Sequence, residues 1–292
     1  MSEQILKLGI PAGSLQKATI ELFNKAGFHV TDSERNYLPQ IDDEQIKLIM
    51  LRAQEMSRYV ADGVLDAGIT GYDWIMESGS DVVEVCELNY SKVSSKPAKW
   101  VLAVPDESPV RNPEDLKGGI IATELVNATK KYFEDKNIAV GKVEFSWGAT
   151  EIKARLVDAI VELTETGSSL KANNLRIIDT IVMSTTRFIA NKGAWQDKFK
   201  REKIENIAIL LNAAIDAGSR VGLKMNVKKG DLDAILKVLP AEKSPTISSL
   251  ADPNYLAVEV IIDDKVERSL VPALKRAGAS GIITYPLNKV IH

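Results

Sequence analysis

Apolar residues fall along the first half of this chain in short continuous runs, separated by stretches with helical spacing. Ile5-Leu6-Lys7-Leu8-Gly9-Ile10 reads as a strand and Pro11-Ala12-Gly13-Ser14 as a turn; Leu15, Ala18, Leu22, Phe23 and Ala26 then mark one face of a helix that Gly27 stops. Ile46 to Leu51 is a second buried strand. Met56 to Gly63 is a short helix leading into the strand Leu65 to Thr70, and Tyr72 to Glu77 is a further helix. Strand-like runs alternating with helical ones argue for α/β layers.

The pattern repeats weakly. Val64-Leu65-Asp66-Ala67-Gly68-Ile69-Thr70-Gly71 precedes a helix, and Leu156-Val157-Asp158-Ala159-Ile160-Val161-Glu162-Leu163 precedes a glycine-containing loop and a helix over Ser168 to Ala172. Two similar α/β lobes facing one another across a ligand cleft would produce this echo, which is the architecture of the periplasmic-binding-protein type. Chance repetition of a common Asp-Ala pair is the competing explanation.

Charge density rises through Gln196 to Lys203, and a long helix, roughly Trp195 to Ala217, leads to Gly218. Beyond it, Arg220 to Val227 is a strand, and Gly230 to Leu239 is a helix with Leu232, Ile235, Leu236 and Leu239 on one face. Pro245 to Leu250 and Tyr255 to Ile262 are strands around the turn Ala251-Asp252-Pro253-Asn254. Val266 to Ala277 is a helix closed by Gly278, and Gly281 to Pro286 is a last strand. The order βαββαβ is that of a ferredoxin-like unit, often an amino-acid-sensing (ACT-like) module, although fold alone does not establish a function. The expected organisation is a first lobe over 1–94, to which 190–217 returns or links, a second lobe over 95–189, and a regulatory domain over 218–292.

Composition narrows the chemistry. The chain has 292 residues, 45% hydrophobic and 26% charged, with a net charge of -3 and its Lys and Arg dispersed. No basic stripe suggests nucleic acid or an anionic membrane, so phosphates must be met by a local site. No apolar run approaches the ~20 residues of a membrane span and the N-terminus does not resemble a signal peptide, so a cytoplasmic location is expected. Cys86, the single cysteine, sits in an apolar alternation and reads as a core residue. With only His29 and His292, a histidine triad or a His-rich metal site is nearly excluded. Chemistry must run on carboxylates, hydroxyls, cations and backbone amides.

The segment richest in chemistry is Asp158 to Leu170. A strand ends near Leu163, and Thr164-Glu165-Thr166-Gly167-Ser168-Ser169 sets four hydroxyls around a glycine before a helix opens. Unpaired N–H groups at a helix start, with the macrodipole behind them, favour an anion, and Gly167 permits close approach of the backbone. An N-cap with surplus serines is the competing reading.

This segment resembles the loop of ATP phosphoribosyltransferases that binds phosphoribosyl pyrophosphate (PRPP), where Asp-Ala-Ile-Val-Asp precedes Thr-Gly-x-Thr-Leu. Tyr59 to Gly71 is similar to that family's first-lobe motif. Val101 to Pro105, Ile121-Ala122-Thr123-Glu124 and Gly148-Ala149-Thr150-Glu151 are similar to its second lobe. Ser244-Pro245-Thr246-Ile247 and Leu250-Ala251-Asp252-Pro253 resemble the histidine-binding domain of its long form.

The resemblance implies roles. Thr164, Glu165, Thr166, Gly167, Ser168, Ser169 and Leu170 would hold PRPP, chiefly its 5′-phosphate. Asp158 and Glu162 would act at the ribose or on Mg²⁺, and Arg52 would face the triphosphate or pyrophosphate as the third catalytic residue. Gly13, Ser14, Asp66, Gly71 and Thr123 would lie near ATP or pyrophosphate. Where the family commonly reads Pro-Lys-Gly-Arg-Leu, this chain reads Pro11-Ala12-Gly13-Ser14-Leu15, two cations fewer. Lys92, Lys96 and Lys99 are candidates to replace them, against the alternative of a solvated hairpin. Histidine, as a feedback inhibitor, would be held by Asn226, Ser244, Thr246, Ala279 and Gly281 in a pocket shared between subunits of a homo-oligomer, dimer or hexamer.

The implied reaction joins adenine N1 of ATP to the anomeric carbon of PRPP with loss of pyrophosphate. N1 has a free lone pair at neutral pH, so no strong base is required, in keeping with a chain nearly devoid of histidine. The alternatives are a non-catalytic two-lobed anion-binding protein with an amino-acid sensor, or a regulatory subunit serving a separate catalytic chain.

Overall fold

The computed structural model describes residues 4–31, 37–90, 97–240 and 244–291. The chain divides into two compact units, Met1–Asn24 with Phe28–Ala208, and Lys25–Gly27 with Ile209–His292.

The first unit holds two five-stranded sheets. In the first lobe the chain runs β1 (Leu6–Ala12), α1 (Gln16–Ala26), the short pair β2 (Val30–Thr31) and β3 (Gln40–Ile41), β4 (Ile46–Arg52), α2 (Ala53–Ala61), β5 (Ala67–Gly71), α3 (Tyr72–Ser78) and β6 (Val83–Leu88). The second lobe follows with β7 (Ala98–Pro105), β8 (Ile120–Thr123), α4 (Val126–Asp135), β9 (Lys142–Phe145), α5 (Thr150–Lys153), β10 (Ala159–Thr164), α6 (Ser168–Ala172) and β11 (Leu175–Ser184). The chain then re-enters the first sheet as β12 (Thr186–Ala190), continuing through α7 (Lys192–Gln196) to α8 (Lys198–Ala217).

The strand orders are β4-β1-β5-β12-β6 and β11-β7-β10-β8-β9. Read from its other edge, the second sheet has the same plan as the first. In each, two parallel neighbours lead to a central strand, β5 or β10, which an antiparallel strand, β12 or β7, then flanks. The sequence echo thus has a structural counterpart, since its two copies supply the equivalent strands β5 and β10. The lobes are of the periplasmic-binding-protein type. Residues 186–189, expected in the second lobe, pair with β5 and β6 of the first. Apolar alternation cannot say which of two similar sheets a strand joins.

Close backbone approach seats α2 on the first sheet. Gly9 and Gly68 are register partners on β1 and β5, and a Cβ on either would lie 2.2 or 2.8 Å from the Met56 sulfur. Those glycines let Met56 and Val60 pack fully buried, which fixes the start of α2 beside Arg52. The long helix expected from Trp195 breaks at Asp197, which is extended (φ -76°, ψ 119°) and accepts Lys200 N. Its first turns are tied to the first lobe by Lys200–Asp66 and Lys203–Asp43 ion pairs, each 2.6 Å.

In the second unit, β13 (Arg220–Lys228), α9 (Leu232–Val238), β14 (Thr246–Ser249), β15 (Tyr255–Asp263), α10 (Asp264–Arg276) and β16 (Ser280–Pro286) form one sheet in the order β14-β15-β13-β16. That is the ferredoxin-like arrangement. Leu223, Met225, Val227, Val258 and Val260 bury one sheet face against Ile235, Leu270 and Leu274 of the helices.

Candidate active site

The parallel strands of both lobes point their C-terminal ends at one cleft of about 340 Å³, the place where open α/β sheets hold ligands. Ala12, Gly13, Ser14 and Leu15 after β1, Arg52 after β4 and Gly71 after β5 line it from the first lobe. Glu124 after β8 and Glu162, Leu163 and Glu165 around the end of β10 line it from the second. The crossing residues Ser184, Thr185 and Thr186 line it too, and Thr185 Oγ1 is buried with no hydrogen-bond partner among the described residues.

Arg52 is exposed at the N-cap of α2, lines the cleft and makes no ion pair among the described residues. Glu162 is half-buried, and burial pushes its pKa above the ordinary glutamate range. A hydrogen bond with Thr150 opposes that rise, and the charges of Glu151 and Glu124 add to it. Thr150 is itself held by Ser146 at 2.8 Å. Burial raises Glu124 too, against a hydrogen bond from Gln54 across the cleft.

Beyond Glu162 the hydroxyl-rich loop folds on itself. Gly167 N donates to Thr164 Oγ1 at 2.7 Å, and the Thr166 and Ser168 hydroxyls lie 2.9 Å apart. Gly167 stands at φ 77°, in the left-handed region, as N-cap of α6. Ser169 donates a hydrogen bond to Glu151. Leu170 is buried in the core, so only its backbone is available to a ligand.

Several expected residues lie elsewhere. Asp158 sits at the start of β10, the end away from the cleft, where its Oδ2 accepts Ile120 N at 2.7 Å; the catalytic assignment is corrected to a tie between β10 and β8. Asp66, 8% exposed at the far end of β5, is occupied by Lys7 N and Lys200 Nζ. Thr123 is buried and accepts Leu125 N, while its neighbour Glu124 reaches the cleft. Lys99 is exposed on β7 and does not line the cleft; Lys92 and Lys96 lie outside the described residues. In the second unit, Asn226, Ser280 and Gly281 come together, with Ser280 Oγ donating to Asn226 O at 3.2 Å. Ser244 and Thr246 are exposed at the β14 edge, with β15 between Thr246 and the strand of Asn226. Ala279 is 2% exposed and its methyl belongs to the core.

Spacing alone did not select Gln54, Asp73, Trp100, Glu124 or Glu151. Glu124 had a usable signal, because it is the first residue past a strand inside a motif already singled out.

The oxygen donors here suit a hard cation. Among the described residues no group of three or more His, Cys, Asp or Glu side chains could hold a metal by itself. A divalent ion would therefore share its coordination with substrate phosphates and water, the usual arrangement for Mg²⁺.

The family model described as ATP phosphoribosyltransferase matches residues 52–213, and that of the HisG C-terminal domain matches 217–289. A protein of Chlorobaculum parvum named ATP phosphoribosyltransferase is 57% identical over 291 residues, 99% of each chain. One of Thermodesulfovibrio yellowstonii with the same name is 56% identical over 292 residues, all of both chains. A solved ATP phosphoribosyl transferase (HisG:HisZ) complex from Thermotoga maritima aligns at TM-score 0.62 and 28% identity, covering 73% of this chain and 99% of that one.

Proposed function

This chain belongs to the ATP phosphoribosyltransferase family and condenses ATP with PRPP to N1-(5-phosphoribosyl)-ATP and pyrophosphate, and we propose that it does so in the cleft between its two α/β lobes. The observation that carries this site is the convergence of Arg52 with Glu162 and Glu165, from facing strand ends, beside the hydroxyl-rich loop.

PRPP lies with its 5′-phosphate on the N–H groups and hydroxyls of Thr166, Gly167, Ser168 and Ser169, which needs no lysine. Glu162 then faces the ribose, where its carboxylate stabilises positive charge as the anomeric C–O bond stretches. The adenine N1 lone pair forms the new C–N bond, and the pair of the breaking bond leaves with pyrophosphate. Positive charge passes into the adenine ring, from whose amino group a proton can leave to water. Arg52 steadies the phosphates of ATP or the departing pyrophosphate. Most of the catalysis is positioning and charge neutralisation.

Members of the family use a divalent metal, and we take it here to be Mg²⁺. Two polyanions must share a cleft lined by Asp73, Glu124, Glu162 and Glu165 with Arg52 as the only Lys or Arg among its described lining residues. The bound metal would neutralise phosphate charge, with Glu162 or Glu124 able to supply an oxygen. Turnover that vanishes in excess chelator and returns with Mg²⁺ supports this; full turnover in chelator removes the metal. A double variant, Arg52→Ala with Glu162→Gln, that keeps turnover within twofold would remove the cleft.

The second unit is read as a histidine sensor. Its support is the ferredoxin-like strand order and the meeting of Asn226 with Ser280 and Gly281. A homo-oligomer, dimer or hexamer, follows from the same reading. The sheet face away from the helices carries Ile261 and Ile283 exposed, a surface suited to a second copy. A cytoplasmic location suits its substrates, and no helix among the described residues is long and apolar enough to cross a membrane.

A further inference from the structure

Helix α3 leaves the first lobe at Gly71 and is fastened to the second lobe at both ends. Near its start Asp73, 4% exposed, accepts Trp100 Nε1 of β7 at 2.6 Å and Ser184 Oγ of β11 at 2.8 Å. Asp73 N returns a bond to Ser184 Oγ at 3.2 Å. One turn on, Glu77 accepts Asn127 N and Ala128 N at 3.0 and 2.9 Å, at the start of α4. The Trp74 and Trp100 rings meet edge to face at 6.0 Å.

The carboxylate at this junction has no ion pair among the described residues, and burial pushes its pKa up. Packing alone does not call for a buried carboxylate, since an apolar side chain would avoid the desolvation. What an aspartate provides here is two acceptor oxygens on one rigid stem, taking one donor from each of two different segments. Those segments matter. Trp100 is the register partner of Leu163, the residue after Glu162, and Ser184 ends the strand from which the chain crosses back to the first lobe. Gly71, which opens α3, is confined to glycine because a Cβ there would lie 2.0 Å from Asp73 Oδ1.

We propose that Asp73 is a positioning residue: by binding Trp100 and Ser184 together it sets the separation of the lobe carrying Arg52 from the lobe carrying Glu162, and with it the distance between adenine N1 and the ribose carbon. This inference rests on the reading of the hydroxyl-rich loop as the PRPP site.

Asp73→Asn keeps the shape but offers one acceptor and turns an N–H₂ group towards a donor. Trp100→Phe keeps an aromatic ring of smaller size and removes the donor at the other end of the bond. Each should lower kcat at least ~10-fold at saturating ATP and PRPP, while calorimetric PRPP affinity stays within twofold, because the loop that holds its 5′-phosphate lies within one lobe. The double variant should be no worse than the more damaged single one, as for partners in one bond. Wild-type kcat in both single variants would overturn the proposal. So would a parallel fall of kcat, PRPP affinity and melting temperature, which marks a folding role. If Asp73→Asn does not fold, Trp100→Phe and Ser184→Ala carry the same comparison. The site reading fails separately, if Gly167→Val leaves wild-type PRPP affinity unchanged.

Discussion

Glu162 holds its proton more tightly than an ordinary glutamate because burial and the nearby Glu151 and Glu124 all disfavour its charge. For an acid with a raised folded pKa, the ionised form diminishes as pH falls towards that value, earlier than for a free glutamate. If the carboxylate works ionised at the ribose, the acid limb of kcat/KM lies above about 4.3, the unperturbed value. Glu162→Gln should flatten that limb and lower kcat/KM roughly 100-fold, the usual size of a lost electrostatic contact. Stability moves the other way. Ionised Glu162 destabilises the fold, so stability rises as pH falls through its folded pKa, and the glutamine variant melts no lower than wild type at neutral pH. A pH–rate profile and a melting curve check both. Thr150, which bonds the carboxylate, and Ser146, which bonds Thr150, belong to the same arrangement.

Among elements, the loop between β10 and α6 depends on one backbone conformation. Nothing lies within 4 Å of the position a Cβ would take at Gly167, so a side chain there meets no wall; its φ of 77° is the constraint. A β-branched residue strains in that region. Gly167→Val is expected to lower PRPP affinity at least ~10-fold, about 1.4 kcal/mol, by moving the N–H groups off the phosphate. Calorimetry reads it, and Gly167→Ala should fall between valine and wild type. Helix α10 offers a contrast without chemistry. Asp263 caps it by accepting Lys265 N at 2.9 Å, and Asp263→Ala should cost the second unit about 1 kcal/mol in denaturant unfolding while leaving turnover intact.

For the whole molecule, the expected coupling runs between histidine in the second unit and the substrates in the first. Inhibition from a distance requires histidine to favour one global state, and linkage then obliges the substrate disfavoured in that state to weaken histidine by the same factor. Equilibrium binding of histidine with and without ATP measures that reciprocity. A chain ending at Gly218, past the last residue of α8, should lose histidine inhibition and keep catalysis if it folds. Undiminished inhibition of the truncated chain would place the effector in the catalytic cleft.

What the sequence determined by itself is local in origin. The α/β alternation, the βαββαβ unit and the glycine-and-hydroxyl loop all rest on the spacing of neighbours, on turn chemistry and on the conformational freedom of glycine. Leu15 to Ala26 and Val266 to Ala277 could be read as helices because one amphipathic face is enough to mark them. The cleft was decided elsewhere. Asp158 and Glu162 are four residues apart in one segment, yet roughly 13 Å of strand separates them and puts them at opposite ends of β10. Only the direction of β10 beside β8 shows which end faces the ligand. Asp73 meets partners 27 and 111 positions away, and β12 returns to a sheet begun 180 residues earlier, at Leu6. No local period encodes such distances. They follow from how two sheets bury their faces and from where the chain crosses between them.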